Sequence, residues 1–358
     1  MENKQIQRYI GIDILRVIAM LGVVFLHTIY SFTVRTDFFL TKAWFVFEPF
    51  AVVSRSSLAL FFMISGFLVV SKNRTVRENL KVTFQRIGIP LIAFSILASL
   101  FYILKTQQNI SLLMSPEYLF KDILLFPNNW LWFLEVLLFL YLLNPLWQGI
   151  FGDTSKKTEA RYLVFFFFLF TCLSVVLKTA TQSLLFFNTF TTWISFVFCY
   201  LYGALVRKNW DIRKPKSFYF LVFLVGLIIE IIGNYFSILS QKNGNLPLSV
   251  NYFTEYLAIA PLFMSIGMFH IFFDVQKIPR ILHSSIQFLA ALSYGVYLTH
   301  EFISLTVADV LGWGVDTVHA NIYLVNGGLF ALSFFGAVLI TYTISRIPKL
   351  RMIIGNTK

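Results

Sequence analysis

Ten long apolar stretches, separated by short polar clusters, recur along the chain at about 9–32, 45–70, 87–105, 130–151, 161–179, 189–207, 217–239, 251–273, 284–306 and 321–345. Runs of this kind suit helices crossing a hydrocarbon core, which takes roughly 17–25 residues and more if the helix tilts. A helix also satisfies its own backbone hydrogen bonds inside lipid. The pattern predicts an all-α polytopic membrane protein of about ten transmembrane helices, with 1–358 forming one integral-membrane domain. No soluble domain fits, because the longest connection, roughly 106–129, is too short.

The first apolar run carries an acid, a guanidinium and an imidazole: Asp13, Arg16 and His27. At about 100° per residue, the steps from Arg16 to His27 return to within about 20° of the same direction. The two side chains therefore share a helix face, about 16 Å apart along the axis at 1.5 Å per residue. Asp13 lies three residues before Arg16 and can pair with it. Ionisable groups facing lipid are costly, so this stripe must face protein or water. It reads as a working surface.

Composition agrees with the spans. The 358 residues are 58% apolar and 13% charged, against about 25% charged in a soluble domain. The first run is too long for a signal-peptide core and lacks a small-residue cleavage site, so no cleavable leader is expected. Cys172 and Cys199 lie in apolar stretches without metal-ligand spacing and read as small buried hydrophobes. The net charge of +12 is unevenly placed. The two tails and the connections after the even-numbered spans hold 21 of the 29 basic residues, and the opposite connections hold six. Arg16 and Arg55 lie within spans. Basic residues mark the cytoplasmic side, so both termini are expected in the cytoplasm. Short basic connections favour anionic lipid headgroups over nucleic acid as partners.

Other intramembrane polar groups need partners. Arg55 sits near mid-bilayer and requires a carboxylate, a carbonyl or a ligand, while Glu230 must be paired or protonated. Ser65-Gly66 forms a small-residue notch suited to close helix approach. Glu135 opens the fourth span and reaches either inward or to the outer surface. His300, in the ninth span, lies about as far from the inner boundary as His27 does in the first, which sets both imidazoles at one height. His270 reads as an interfacial histidine.

Four of these segments resemble the membrane acyltransferase-3 family. They are Arg16-x10-His27, Phe-Phe-Met-Ile-Ser-Gly-Phe-Leu at 61–68, the frame from Trp132 through Tyr141 to Pro145, and Ser-x-Gly-x-Tyr-Leu-x-His at 293–300. The second is similar to acetyltransferases of the enterobacterial common antigen type. Many relatives carry Arg-x-x-Arg before the isoleucine–proline end of the second cytoplasmic loop, thought to hold the acyl donor. Here Arg86 fits the second position, Thr83 occupies the first, and Arg74 with Arg77 has the spacing further upstream. One branch places a glutamate where this chain has Leu137, with Glu135 two residues earlier.

The resemblance implies transfer of an acyl group, usually acetyl, from cytoplasmic acetyl-CoA or another acyl-CoA to a hydroxyl of an extracytoplasmic or lipid-linked glycan. It implies a multi-pass protein of the cell membrane, a bacterial plasma membrane. His27 is the expected general base, because neutral imidazole accepts a proton near physiological pH. Arg16, oriented by Asp13, suits a phosphate or pantetheine contact. Arg55, Glu135 and His300 are candidate acceptor-side or supporting residues, and Arg74, Arg77 and Arg86 candidate donor contacts. No metal is expected, and a homo-oligomer is open. The alternative is a transporter or flippase of lipid-linked glycan or acyl groups, which would use the same intramembrane charges without chemistry. A structural subunit of a cell-wall assembly complex is the third reading. A transporter often shows related halves, and no repeat relates spans one to five to spans six to ten.

Overall fold

Apolar runs flanked by charged turns fold into helices throughout the computed structural model, which describes residues 9–29, 38–106, 115, 130–181, 191–243, 252–313 and 321–355. The described α-helices are α1 (Ile10–Thr28), α2 (Lys42–Arg55), α3 (Ser57–Val69), α4 (Val76–Thr83), α5 (Ile89–Lys105), α6 (Trp132–Leu142) and α7 (Asn144–Phe151). They continue with α8 (Lys157–Thr181), α9 (Thr192–Arg207), α10 (Lys216–Lys242), α11 (Ile259–Phe272), α12 (Arg280–Leu311) and α13 (Ile322–Arg346). No strand occurs among the described residues. The connection at 106–129 lies outside them except for Thr106 and Ser115.

Among the described residues, seven helical segments are long and apolar enough to cross a membrane. They include Lys42–Val69, which joins α2 and α3, and Val76–Lys105, which joins α4 and α5. An eighth segment is the pair α6 and α7, bent by 52°. Pro145, at the start of α7, supplies no N–H to continue the ladder there. Two further apolar helices, α9 and α11, are shorter. The chain is thus an all-α, multi-pass membrane protein, and each expected span overlaps one of these segments.

Local sequence sets the breaks. The second expected span is two helices divided at Ser56, beside the buried Arg55. Thr75 and Glu78 form a reciprocal capping box that starts α4. Between α4 and α5 the backbone widens into a π-helical turn, Phe84–Gly88, which carries Arg86. Such turns occur often at functional sites.

Helix α3 forms the middle of the bundle, with most of its residues buried. Its neighbour α9 approaches closely because glycines face carbonyls in both directions. A Cβ on Gly66 would collide with the Tyr200 carbonyl oxygen, and one on Gly203 with that of Met63. The notch at Ser65-Gly66 is therefore a backbone-to-backbone contact. Around this pair, α1 packs on α2, α3, α12 and α13, while α10 packs on α11, and α8 on α9.

One buried ion pair ties the far side together. Arg55 is fully buried and its Nη1 donates to Glu230 Oε1 at 2.7 Å and to the Phe253 carbonyl at 2.8 Å. Nearby, the Asn234 amide donates to Glu48. These contacts join α2 to α10 and to the segment preceding α11.

Candidate active site

Two polar features lie at opposite ends of α1. At the end near its N-terminus, Asp13 Oδ1 stands 3.6 Å from Arg16 Nη1, with the carboxylate buried and the guanidinium 34% exposed. Arg16 lines a cavity of about 760 Å³, within the roughly 300–1,000 Å³ of small-molecule sites. Its basic end is formed by Lys72, Arg86 and Arg346, beside the C-terminal residues Ile354 and Gly355. Tyr294 donates its hydroxyl to the Arg86 carbonyl at 3.1 Å, and Arg346 Nη2 donates to Tyr342 Oη at 2.7 Å. Phe61, Phe133 and Tyr297 line the cavity as well.

The other expected donor residues fall outside the cavity lining. Arg77 is exposed. Arg74 is partly buried, and its pKa is pushed down by burial and then by the neighbouring Arg86 guanidinium. An anion beside two like charges favours the charged form of both.

At the opposite end of α1, His27 meets the ninth expected span. Its Nδ1 lies 3.0 Å from Glu301 Oε2, with the imidazole 32% exposed and the carboxylate 14%. The His27 and His300 rings meet edge to face, 4.9 Å between centroids. His300 is fully buried and its Nδ1 donates to the Tyr297 carbonyl at 2.7 Å. That bond fixes the tautomer, because a carbonyl only accepts. The His300 Nε2 then carries a lone pair, and it has no hydrogen-bond partner.

Tyr297 links the two ends. Its ring borders the cavity, packs 5.0 Å from Phe133 and lies 5.9 Å from the His300 ring. Its hydroxyl donates to the Trp130 carbonyl, which anchors α12 to the start of α6.

The structure thus brings His27 and His300 together, and Asp13 with Arg16 and the cavity. Arg55 is held by Glu230 and the Phe253 carbonyl and belongs neither to the cavity lining nor to the cluster around His27. Glu135 is buried on α6 but contributes neither to the cavity lining nor to the cluster around His27. The residue missed by sequence reasoning is Glu301. It directly follows His300, and its signal was an acid at the same height as His27. Lys72 and Arg346 were also missed.

A chain that holds an imidazole–carboxylate pair and a guanidinium on its spanning helices, with basic residues lining a cavity, has the parts for group transfer. The sequence matches a family model described as an acyltransferase domain, Acyl_transf_3, over residues 9–346. The chain belongs to the acyltransferase-3 family. No curated protein and no solved structure matches it. For this acyltransferase-3 protein the match runs from the residue before α1 to the last residue of α13, so both polar features lie inside the family domain.

Proposed function

We propose that this protein transfers an acyl group, acetyl in the simplest case, from cytoplasmic acyl-CoA to a hydroxyl of an extracytoplasmic or lipid-linked glycan. The observation that carries this reading is the pairing of His27 with Glu301 at 3.0 Å, at the opposite end of α1 from a basic-mouthed cavity. In this reading the basic end faces the cytoplasm, following the distribution of Lys and Arg. Arg86, Lys72 and Arg346 receive the phosphates of the donor, to which guanidinium offers a planar fork. The pantetheine arm runs past Arg16 toward Tyr297, bringing the thioester to the His27 end.

His27 is the base. With Nδ1 toward Glu301, Nε2 is left to take the proton from the acceptor hydroxyl. The hydroxyl oxygen then forms a bond to the thioester carbonyl carbon, and the carbon–sulfur bond breaks. The thiolate of coenzyme A leaves and is protonated from the imidazolium, which restores the base. Glu301 is a positioning residue: it holds the ring and favours its charged form while the proton is on it. The acceptor comes from the outer face of a bacterial plasma membrane.

The test uses purified full-length protein with labelled acetyl-CoA and a surface-glycan acceptor. His27→Ala is expected to bind coenzyme A normally by calorimetry while transfer falls by about 10²–10⁴-fold, the usual cost of losing a general base. Transfer at the unmutated rate in that variant overturns the assignment of His27. A transporter without chemistry would move label across the membrane and release no free coenzyme A.

A further inference from the structure

Three donor atoms converge at the His27 end of the bundle. One ring nitrogen of His27, one of His300 and a Glu301 carboxylate oxygen all lie within 4.8 Å of one another. They come from only two helices, α1 and α12, which pack directly on each other. The acyl-transfer reading employs His27 and Glu301 but leaves His300 with nothing to do.

His300 is the informative member. Its Nδ1–H is committed to the Tyr297 carbonyl, so the neutral ring presents a lone pair at Nε2. That atom is buried and meets no hydrogen-bond donor. A buried acceptor without a donor is costly, and a hydrogen bond from the far ring nitrogen to a carbonyl is the usual support of a metal-ligating histidine. The other side of the cluster is open, because the His27 imidazole is 32% exposed. Two imidazoles and a carboxylate with one open position suit a zinc-class divalent ion, and such ligands do not favour magnesium or calcium.

We propose that His27, His300 and Glu301 form a binding site for a zinc-class divalent cation, and that the cation there takes His27 out of proton transfer. The inhibitory half of this rests on His27 being the base. The binding half does not. A metal on Nδ1 replaces the proton through which that nitrogen holds Glu301, separates that carboxylate from its orienting role and leaves the remaining ring proton on Nε2, which then has no lone pair to accept another. Acyl transfer then stops without loss of the fold or of donor binding. External zinc would act as a reversible brake from the side on which the acceptor arrives.

The experiment uses the purified full-length protein, stripped with a chelator. Co²⁺ is added as the spectroscopic probe, and Zn²⁺ as competitor and inhibitor. The expected result is one Co²⁺ per chain with the intense visible absorption of a four-coordinate site, lost on adding Zn²⁺. Zn²⁺ is expected to abolish acyl transfer, and the chelator to restore it. His300→Ala should lose the Co²⁺ absorption, and its residual transfer should need at least about tenfold more Zn²⁺ for half inhibition, since even supporting-shell losses cost that much. Glu301→Gln, nearly isosteric, is the second variant should His300→Ala fold poorly, and should weaken Co²⁺ in the same direction. His283→Ala, on the exposed start of α12, should leave the absorption intact. No Co²⁺ absorption in the wild type, or undiminished absorption in both cluster variants, overturns the site while leaving His27 as base untouched. Stoichiometric binding with unchanged transfer overturns the inhibitory half.

Discussion

Replacing Glu301 by glutamine changes one charge and almost no volume, which makes it the sharpest probe of the His27 pair. In the proposed mechanism the carboxylate favours the imidazolium that forms when His27 takes the acceptor proton. At their 3.0 Å separation, unit charges attract by about 5.5 kcal/mol for an effective dielectric of 20, and by about 1.4 kcal/mol in water. His27 is 32% exposed and Glu301 14%, so partial screening places the effect between these limits, at about 2–3 kcal/mol. At about 1.36 kcal/mol per tenfold, Glu301→Gln should slow transfer roughly 30- to 150-fold. The loss should appear in kcat, with the KM for acyl-CoA little changed, because neither residue lines the cavity proposed to take the donor's phosphates. Glu301→Asp, which keeps the charge, should recover part of the rate. The assay is coenzyme A release by purified protein with glycan acceptor, alongside thermal stability of each variant. An unchanged kcat in Glu301→Gln would refute the positioning role, and so would a loss that tracks unfolding.

At the other end of α1, Arg346→Gln should raise the KM for acyl-CoA with little change in kcat. Arg16→Lys, which keeps charge but not the planar fork, should lose most activity while remaining folded; equal kinetics to wild type in both would remove the cavity from donor binding. Arg55→Met should destabilise by about 3–5 kcal/mol, because it strands the buried Glu230, and the double variant Arg55→Met/Glu230→Gln should regain much of that in a thermal-shift measurement. If the single and double variants melt together, the ion pair is not what holds α2 to α10. Reporter fusions should place both termini in the cytoplasm, and a C-terminus outside would reverse the direction assigned to the donor.

What could be read from the chain depended on whether one helix sufficed. The stripe of Asp13, Arg16 and His27 is set by the period of α1 alone, and α1 runs unbroken from Ile10 to Thr28. The notch at Gly66 was legible because a small residue in a large apolar helix has few other uses. That Arg55 needed a carboxylate was legible too, but not that Glu230, 175 residues later, supplies it. Height along the axis could be counted for His27 and His300 separately. Azimuth could not, because the rotation of α12 about its own axis depends on what it packs against. Glu301 was therefore indistinguishable from a lipid-edge acid, while Glu135, at a similar height, offered either an inward reach or the outer surface. Arg346 had the same difficulty: at the end of α13 it reads as a topological anchor until packing shows that it lines the cavity.

The brevity of α9 and α11 has a consequence for distance. With 16 and 14 residues, they rise only about 24 Å and 21 Å at 1.5 Å per residue, less than the roughly 30 Å of hydrocarbon in an average bilayer. Helix α9 is almost wholly enclosed by its neighbours, so lipid cannot simply thin around it. The length of α9 is therefore set by the helices packed around it and not by the thickness of the membrane.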